Sequence, residues 1–266
     1  MPVLDRGGVR IAWSDRGQGA PILLIMGHRY SSGMWYPVYE GLGGRYRLIS
    51  FDNRGTGLSD APARTSVSEM MEDALAVLDA AGVDSAHVYG VSMGGGIALE
   101  FAIRHPERTR SLILGCTLAK TPDVKSSPKW LLNIVYRLPM WALKAMSPKR
   151  YKNGYGDAAS DEAIARDQAV LTKDKFSRRG VLAQAKAIAD YSVDPAAVRA
   201  VRAPTLVLHG DQDTTVPFEG GRTLSEMIPG ARLVTLEGCG HNYFVGARDK
   251  ANTAVDQFIT GVEQAR

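Results

Sequence analysis

Short, nearly unbroken apolar runs alternate along this chain with stretches whose apolar residues recur every three or four positions. Residues 22–26, bounded by Pro21 and Gly27, are apolar throughout, as expected of a strand covered on both faces. Similar runs at 47–51, 87–91, 111–116, 205–209 and 232–236 predict further strands, and the looser alternation of 8–13 predicts a first one. Between them the period changes. Ser66 followed by Glu69 is a capping box opening a helix whose apolar face is Met70, Ala74, Val77, Leu78 and Ala81, with Gly82 as its stop. Ile97, Ala98, Leu99, Phe101, Ala102 and Ile103 mark a second helix. Alternation of this kind predicts an α/β fold, a mainly parallel sheet flanked by helices.

The rhythm breaks after Cys116. Up to Pro204 the pattern is helical with no convincing strand, so residues 117–194 are expected to form an inserted helical cap on a core made of 1–116 and 195–266. Pro128, Pro139 and Pro148 divide its first part into short helices at 130–138 and 140–146, and two longer ones are expected at 158–172 and 176–191.

Composition narrows the class. At 266 residues, 45% hydrophobic and 23% charged, the chain has the make-up of a soluble globular protein with one large core, and no apolar run approaches a membrane span. The N-terminus lacks a basic region followed by an apolar one, and Cys116 and Cys239 form no CxxC pair, so a cytoplasmic location is expected, with no disulfide, metal or cofactor. The net charge of +4 is uneven. Residues 120–190 hold fourteen basic against seven acidic side chains. Scattered charges of this kind read as a solvated face or as steering of an anionic substrate. No nucleic-acid motif accompanies them, and a homo-oligomer is left open.

One stretch carries chemistry. Gly90-Val91-Ser92-Met93-Gly94 sets a serine between glycines where the run at 87–91 meets a helix, which is the pattern of a nucleophile elbow. Gly90, Gly94, Gly95 and Gly96 supply room for such a turn. A serine hydroxyl is protonated at neutral pH and needs a base during attack; histidine titrates in that range, and a carboxylate on its other ring nitrogen fixes the tautomer. His241, after a strand and a tight glycine turn, is the candidate base, while His87, His105 and His209 read as structural. The acid is Asp211 or Asp213 on the residues alone. Met93, first in its helix, offers a backbone N–H for an oxyanion.

With these motifs in place, nearly the whole chain, from Gly8 to Phe258, resembles the α/β-hydrolase fold family. Residues 52–59 resemble its D-x-R-G-x-G-x-S loop, 209–217 its acid loop and 238–241 its histidine loop, in the family order Ser92, Asp213, His241. The resemblance implies Asp213 as the acid, three residues after Gly210 and before Val216-Pro217, with Asp211 bracing the loop. It also implies the backbone N–H of His28 as second oxyanion donor. Relatives carry His-Gly just before that position, where this chain has Met26-Gly27, so the usual brace of the loop is missing. The imidazole of His28 is expected either to face the pocket or to turn outward.

A serine excludes the relatives that need an aspartate nucleophile. What the resemblance implies is hydrolysis of a carboxylic ester, lactone or related acyl bond through an acyl-enzyme. A carbon-carbon bond hydrolase or a cofactor-free perhydrolase with the same triad is the alternative, and a non-catalytic small-molecule receptor is a reading of another class. Trp130 and Trp141, on apolar faces of the cap, are expected to line the substrate pocket.

Overall fold

The computed structural model describes residues 1–120 and 154–266. Eight strands form one sheet: β1 (Val3–Asp5), β2 (Arg10–Arg16), β3 (Pro21–Ile25), β4 (Arg47–Phe51), β5 (Ala86–Val91), β6 (Thr109–Gly115), β7 (Thr205–Gly210) and β8 (Arg232–Leu236), in spatial order β1-β2-β4-β3-β5-β6-β7-β8. The pairs β1/β2 and β2/β4 are antiparallel, and every pair from β4 to β8 is parallel. The fold is therefore α/β with a mainly parallel sheet, as the alternation of periods predicts. The first strand expected at 8–13 runs instead over Arg10–Arg16, and the three-residue β1 precedes it.

Alternate residues of the central strands feed two cores, because successive side chains of a strand point to opposite faces. Leu23, Ile25, Ile49, Phe51 and Val88 lie on one face beneath the helices Val67–Ala80 and Met93–Arg104. Ile22, Leu24, Leu48 and Tyr89 lie on the other, against Trp35, Val38 and the helix Arg248–Gln264. Ser66 caps the helix after β4 by accepting from the Glu69 N–H.

In the segment expected to be a cap, residues 121–153 lie outside the described residues, and with them Trp130, Trp141 and the helices expected at 130–138 and 140–146. The two later helices are present but start further on, at Asp161–Leu171 and Arg178–Asp190. Ser160 and Ser177 are their N-caps, accepting from Ala163 N–H and Gly180 N–H, and an N-cap residue is not itself helical. The second of these helices lies against the body of the protein, with Ala187 in the same core as β3 and β5. Among the described residues no helix is long and apolar enough to cross a membrane.

Candidate active site

Three strands end at one edge of the sheet and deliver Ser92, Asp213 and His241. Ser92 follows β5 directly, with φ +54° and ψ −121°, a backbone conformation that costs an ordinary residue energy and is held here by its surroundings. Its N–H donates to Gly115 O on β6 (2.8 Å), and its carbonyl accepts from Thr117 Oγ1 (2.8 Å). The flanking glycines are needed for lack of space. A Cβ on Gly94 would stand 2.0 Å from Ile25 O, and one on Gly90 would stand 2.1 Å from Gly94 O. Gly96 is different, since a Cβ there would meet only Tyr191 at 3.9 Å.

His241 lies in the loop after β8. Its Nε2 is 3.0 Å from Ser92 Oγ and its Nδ1 is 2.7 Å from Asp213 Oδ2. A carboxylate only accepts, so the proton sits on Nδ1 and the lone pair of Nε2 faces the serine hydroxyl. Asp213, in the loop after β7, accepts from Thr215 N–H (2.8 Å) and Val216 N–H (2.9 Å) through its other oxygen. Burial opposes its charge, but hydrogen bonds from His209 and His241 and the Val216 amide outweigh that and hold the carboxyl well below the usual carboxylate range. Asp211 is placed differently. It is exposed and accepts from Gly238 N–H, bracing the histidine loop from outside.

His209 takes part in this arrangement, which the sequence reading did not anticipate. Fully buried four residues before Asp213, it has Nε2 at 2.9 Å from Val216 O and 3.4 Å from Asp213 Oδ2. The Val216 carbonyl can only accept, so Nε2 carries a proton and presents it to the acid as well. The signal in the sequence was its spacing from Asp213. His87 and His105 lie elsewhere: His87 is buried near the start of β5, 2.8 Å from Ser111 Oγ, and His105 ends the helix Met93–Arg104.

Cys116, His209 and Asp213 bring one potential ligand atom each within 4.8 Å of one another. Both Asp213 oxygens already accept hydrogen bonds, His209 Nε2 is protonated, and burial pushes the Cys116 thiol well up, so the donors fit a proton network better than a cation.

The loop after β3 passes beside the serine. A Cβ on Gly27 would stand 3.3 Å from Ser92 Cβ. The brace that Met26 cannot supply comes from the loop after β4: Asn53 Nδ2 donates to Met26 O (2.8 Å), and Asp52 Oδ1 accepts from Ser32 N–H (2.8 Å) and Ser32 Oγ (2.7 Å). Arg54 anchors that loop by a buried bidentate pair with Asp73. The His28 ring does not turn outward but points to the helix Arg178–Asp190, with Nε2 3.0 Å from Val181 O. Burial lowers its pKa to about 4. Met93 opens the helix after Ser92, where backbone N–H groups have no partner in the preceding turn.

Two family models match this sequence, one described as the alpha/beta hydrolase fold over residues 20–153 and one as a TAP-like protein over 184–264. The chain belongs to the α/β-hydrolase fold family, and it is a hydrolase of that fold. Among curated proteins it is 30% identical to a 2-hydroxymuconate semialdehyde hydrolase of Pseudomonas putida, over 95% of this chain and 91% of that one. It is also 30% identical to a protein named as a candidate carbamate hydrolase, RutD, of Azorhizobium caulinodans, over 99% and 100%. Among solved structures it is similar to a thermophilic esterase of Thermogutta terrifontis, with 26% identity, a TM-score of 0.82 and coverage of 98% and 97%.

Proposed function

We propose that this protein is a serine hydrolase that cleaves a carboxylic ester, lactone or related acyl bond through an acyl-enzyme on Ser92. The observation that carries this reading is the unbroken relay from Ser92 Oγ through His241 to Asp213, with the Nε2 lone pair aimed at the hydroxyl. As Ser92 Oγ attacks the carbonyl carbon, its proton passes to His241 Nε2, and Asp213 stabilises the imidazolium. The oxyanion rests on the backbone N–H groups of Met93 and His28. Collapse breaks the bond to the leaving group, which takes the proton from His241. Water then attacks the acyl-enzyme with the same histidine as base, releasing the acid and restoring Ser92. The inserted segment that begins after Cys116 is proposed as a cap on this site, on the strength of the described helix Arg178–Asp190, which packs on the loops after β3 and β4.

A carbon-carbon bond hydrolase is the second reading, favoured by the 30% identity to the 2-hydroxymuconate semialdehyde hydrolase over nearly the full length of both chains. The same serine and base serve either reaction, so a panel decides. Aryl esters, lactones, thioesters and β-diketones are offered to the enzyme in parallel with a fluorophosphonate probe. Labelling with ester or lactone turnover supports the first reading; labelling with turnover of diketones alone supports the second. Absence of labelling contradicts both and favours a binding protein.

A further inference from the structure

Gln184 stands out among buried polar side chains because both ends of its amide are committed to loops beside Ser92. It is fully buried at the centre of the helix Arg178–Asp190. Its Oε1 accepts from Arg29 N–H (2.9 Å), next to the His28 amide, and its Nε2 donates to Arg54 O (2.8 Å) in the loop that holds Met26 through Asn53. The same helix takes the His28 ring at Val181 O. It can do so because it lies very close: a Cβ on Gly180 would stand 2.2 Å from Gly55 Cα, so backbone packs on backbone there.

We propose that Gln184 is a positioning residue for the oxyanion hole, holding the backbone of residues 28 and 29 so that the His28 N–H faces the developing charge on the substrate at Ser92. This inference rests on the serine-hydrolase reading above. The physical need is specific to this chain. Arg29 has φ +77°, a left-handed conformation that a non-glycine residue keeps only when its neighbours impose it. If Arg29 relaxed from it, the peptide plane between residues 28 and 29 would turn, and the His28 amide on the preceding plane would lose its fixed direction. The Gln184 oxygen ties the Arg29 N–H, and the Val181 carbonyl ties the His28 side chain, so one helix grips the loop at that peptide and at the residue before it. The helix of the inserted segment thereby sets the geometry of a catalytic amide without touching substrate.

The test compares Gln184→Met, which keeps bulk and removes both hydrogen bonds, with Gln184→Glu, which keeps the acceptor for Arg29 N–H. Each is assayed for kcat and KM on the best ester of the panel and for inhibition by an aryl boronic acid, whose tetrahedral adduct on serine carries the oxyanion charge. Melting temperature is followed in parallel. Loss of an oxyanion donor outright costs about 10²–10³ in kcat, so a misplaced one in Gln184→Met is expected to cost about 10- to 100-fold in kcat and in boronate affinity, with KM within about threefold. Gln184→Glu is expected to recover most of the boronate affinity. If Gln184→Met does not fold, the glutamate variant and Gln184→Asn, too short to reach both partners, are compared in its place. Folded variants lacking the Arg29 contact that bind boronate as wild type does would overturn the role of Gln184 alone. Failure of the wild-type enzyme to bind boronate at all would overturn the serine-hydrolase reading with it.

Discussion

His241 Nε2 stands 3.0 Å from Ser92 Oγ although 149 positions of chain separate the two residues. Parallel strands bring them together: β5 and β8 both end at the same edge of the sheet, so the loops that follow share one place in space. The serine's strained backbone is part of the same geometry. Only a sharp turn from strand to helix lets a single side chain project toward a histidine two loops away.

Replacing Ser92 by alanine is expected to abolish hydrolysis, by about 10⁴-fold or more, while leaving the fold intact, since the backbone hydrogen bonds of residue 92 to Gly115 and Thr117 do not involve its side chain. Activity against the best panel substrate and the melting temperature, measured together, check this. Retained turnover would remove Ser92 from the mechanism.

The two aspartates of the acid loop are expected to differ sharply. Asp213→Asn would favour the wrong imidazole tautomer and cost about 10⁴ in kcat, as loss of the carboxylate does in other triads. Asp211→Asn touches only the Gly238 N–H and should cost less than about tenfold. Steady-state kinetics on both variants would reveal a reversed order, which the geometry forbids.

Acid should destabilise the protein before it titrates the carboxylates. Burial lowers the pKa values of both His28 and His87 to about 4. The unfolded chain protonates these rings below about 6.5, whereas the folded chain keeps them neutral down to about 4. Their contribution to stability is therefore full above pH 6.5 and is lost as pH falls toward 4. Each ring contributes at most about 1.4 kcal/mol per pH unit in that window. Asp213 adds to the loss at still lower pH, while Asp167, whose carboxyl is raised by burial, works in the opposite direction. Urea midpoints at half-unit steps of pH should show the decline, and His87→Asn should make it shallower. A midpoint flat from pH 7 to 4.5 would contradict the neutral buried rings.

Space around the elbow makes a prediction about stability. Gly94→Ala forces a Cβ to 2.0 Å from Ile25 O and should cost about 2–3 kcal/mol or more. Gly96→Ala, in the same helix turn with its nearest neighbour at 3.9 Å, should change stability by less than about 1 kcal/mol. Chemical denaturation of the two variants separates steric need from a general preference for glycine.

Much of this was legible in the residue pattern. Apolar runs between turn residues located β3 and β4 closely, because strands buried on both faces leave few polar positions to blur them, and β8 as closely although it is only partly buried. The meeting of Ser92, His241 and Asp213 was legible as order and spacing in loops after strands. Strand β1 escaped because only one of its three residues is even partly buried, so periodicity had nothing to register. The helix starts at 161 and 178 came late because Ser160 and Ser177 cap rather than extend them. What the sequence could not disclose were contacts between distant segments: Gln184 to Arg29 and Asn53 to Met26. A buried glutamine in an alanine-rich helix looks like any other until the loops that it joins are seen in space.

An activated serine at position 92 leaves a covalent intermediate that can be trapped. Wild-type enzyme is mixed with an excess of a slowly deacylating aryl ester, quenched in acid within the first turnover, digested and mapped by peptide mass spectrometry. The expected result is one acyl group, located on Ser92 in the peptide spanning Gly90 to Gly94, and its absence from Ser92→Ala. Turnover of the ester with no acyl group on Ser92, or with the group on another residue in both proteins, would contradict it.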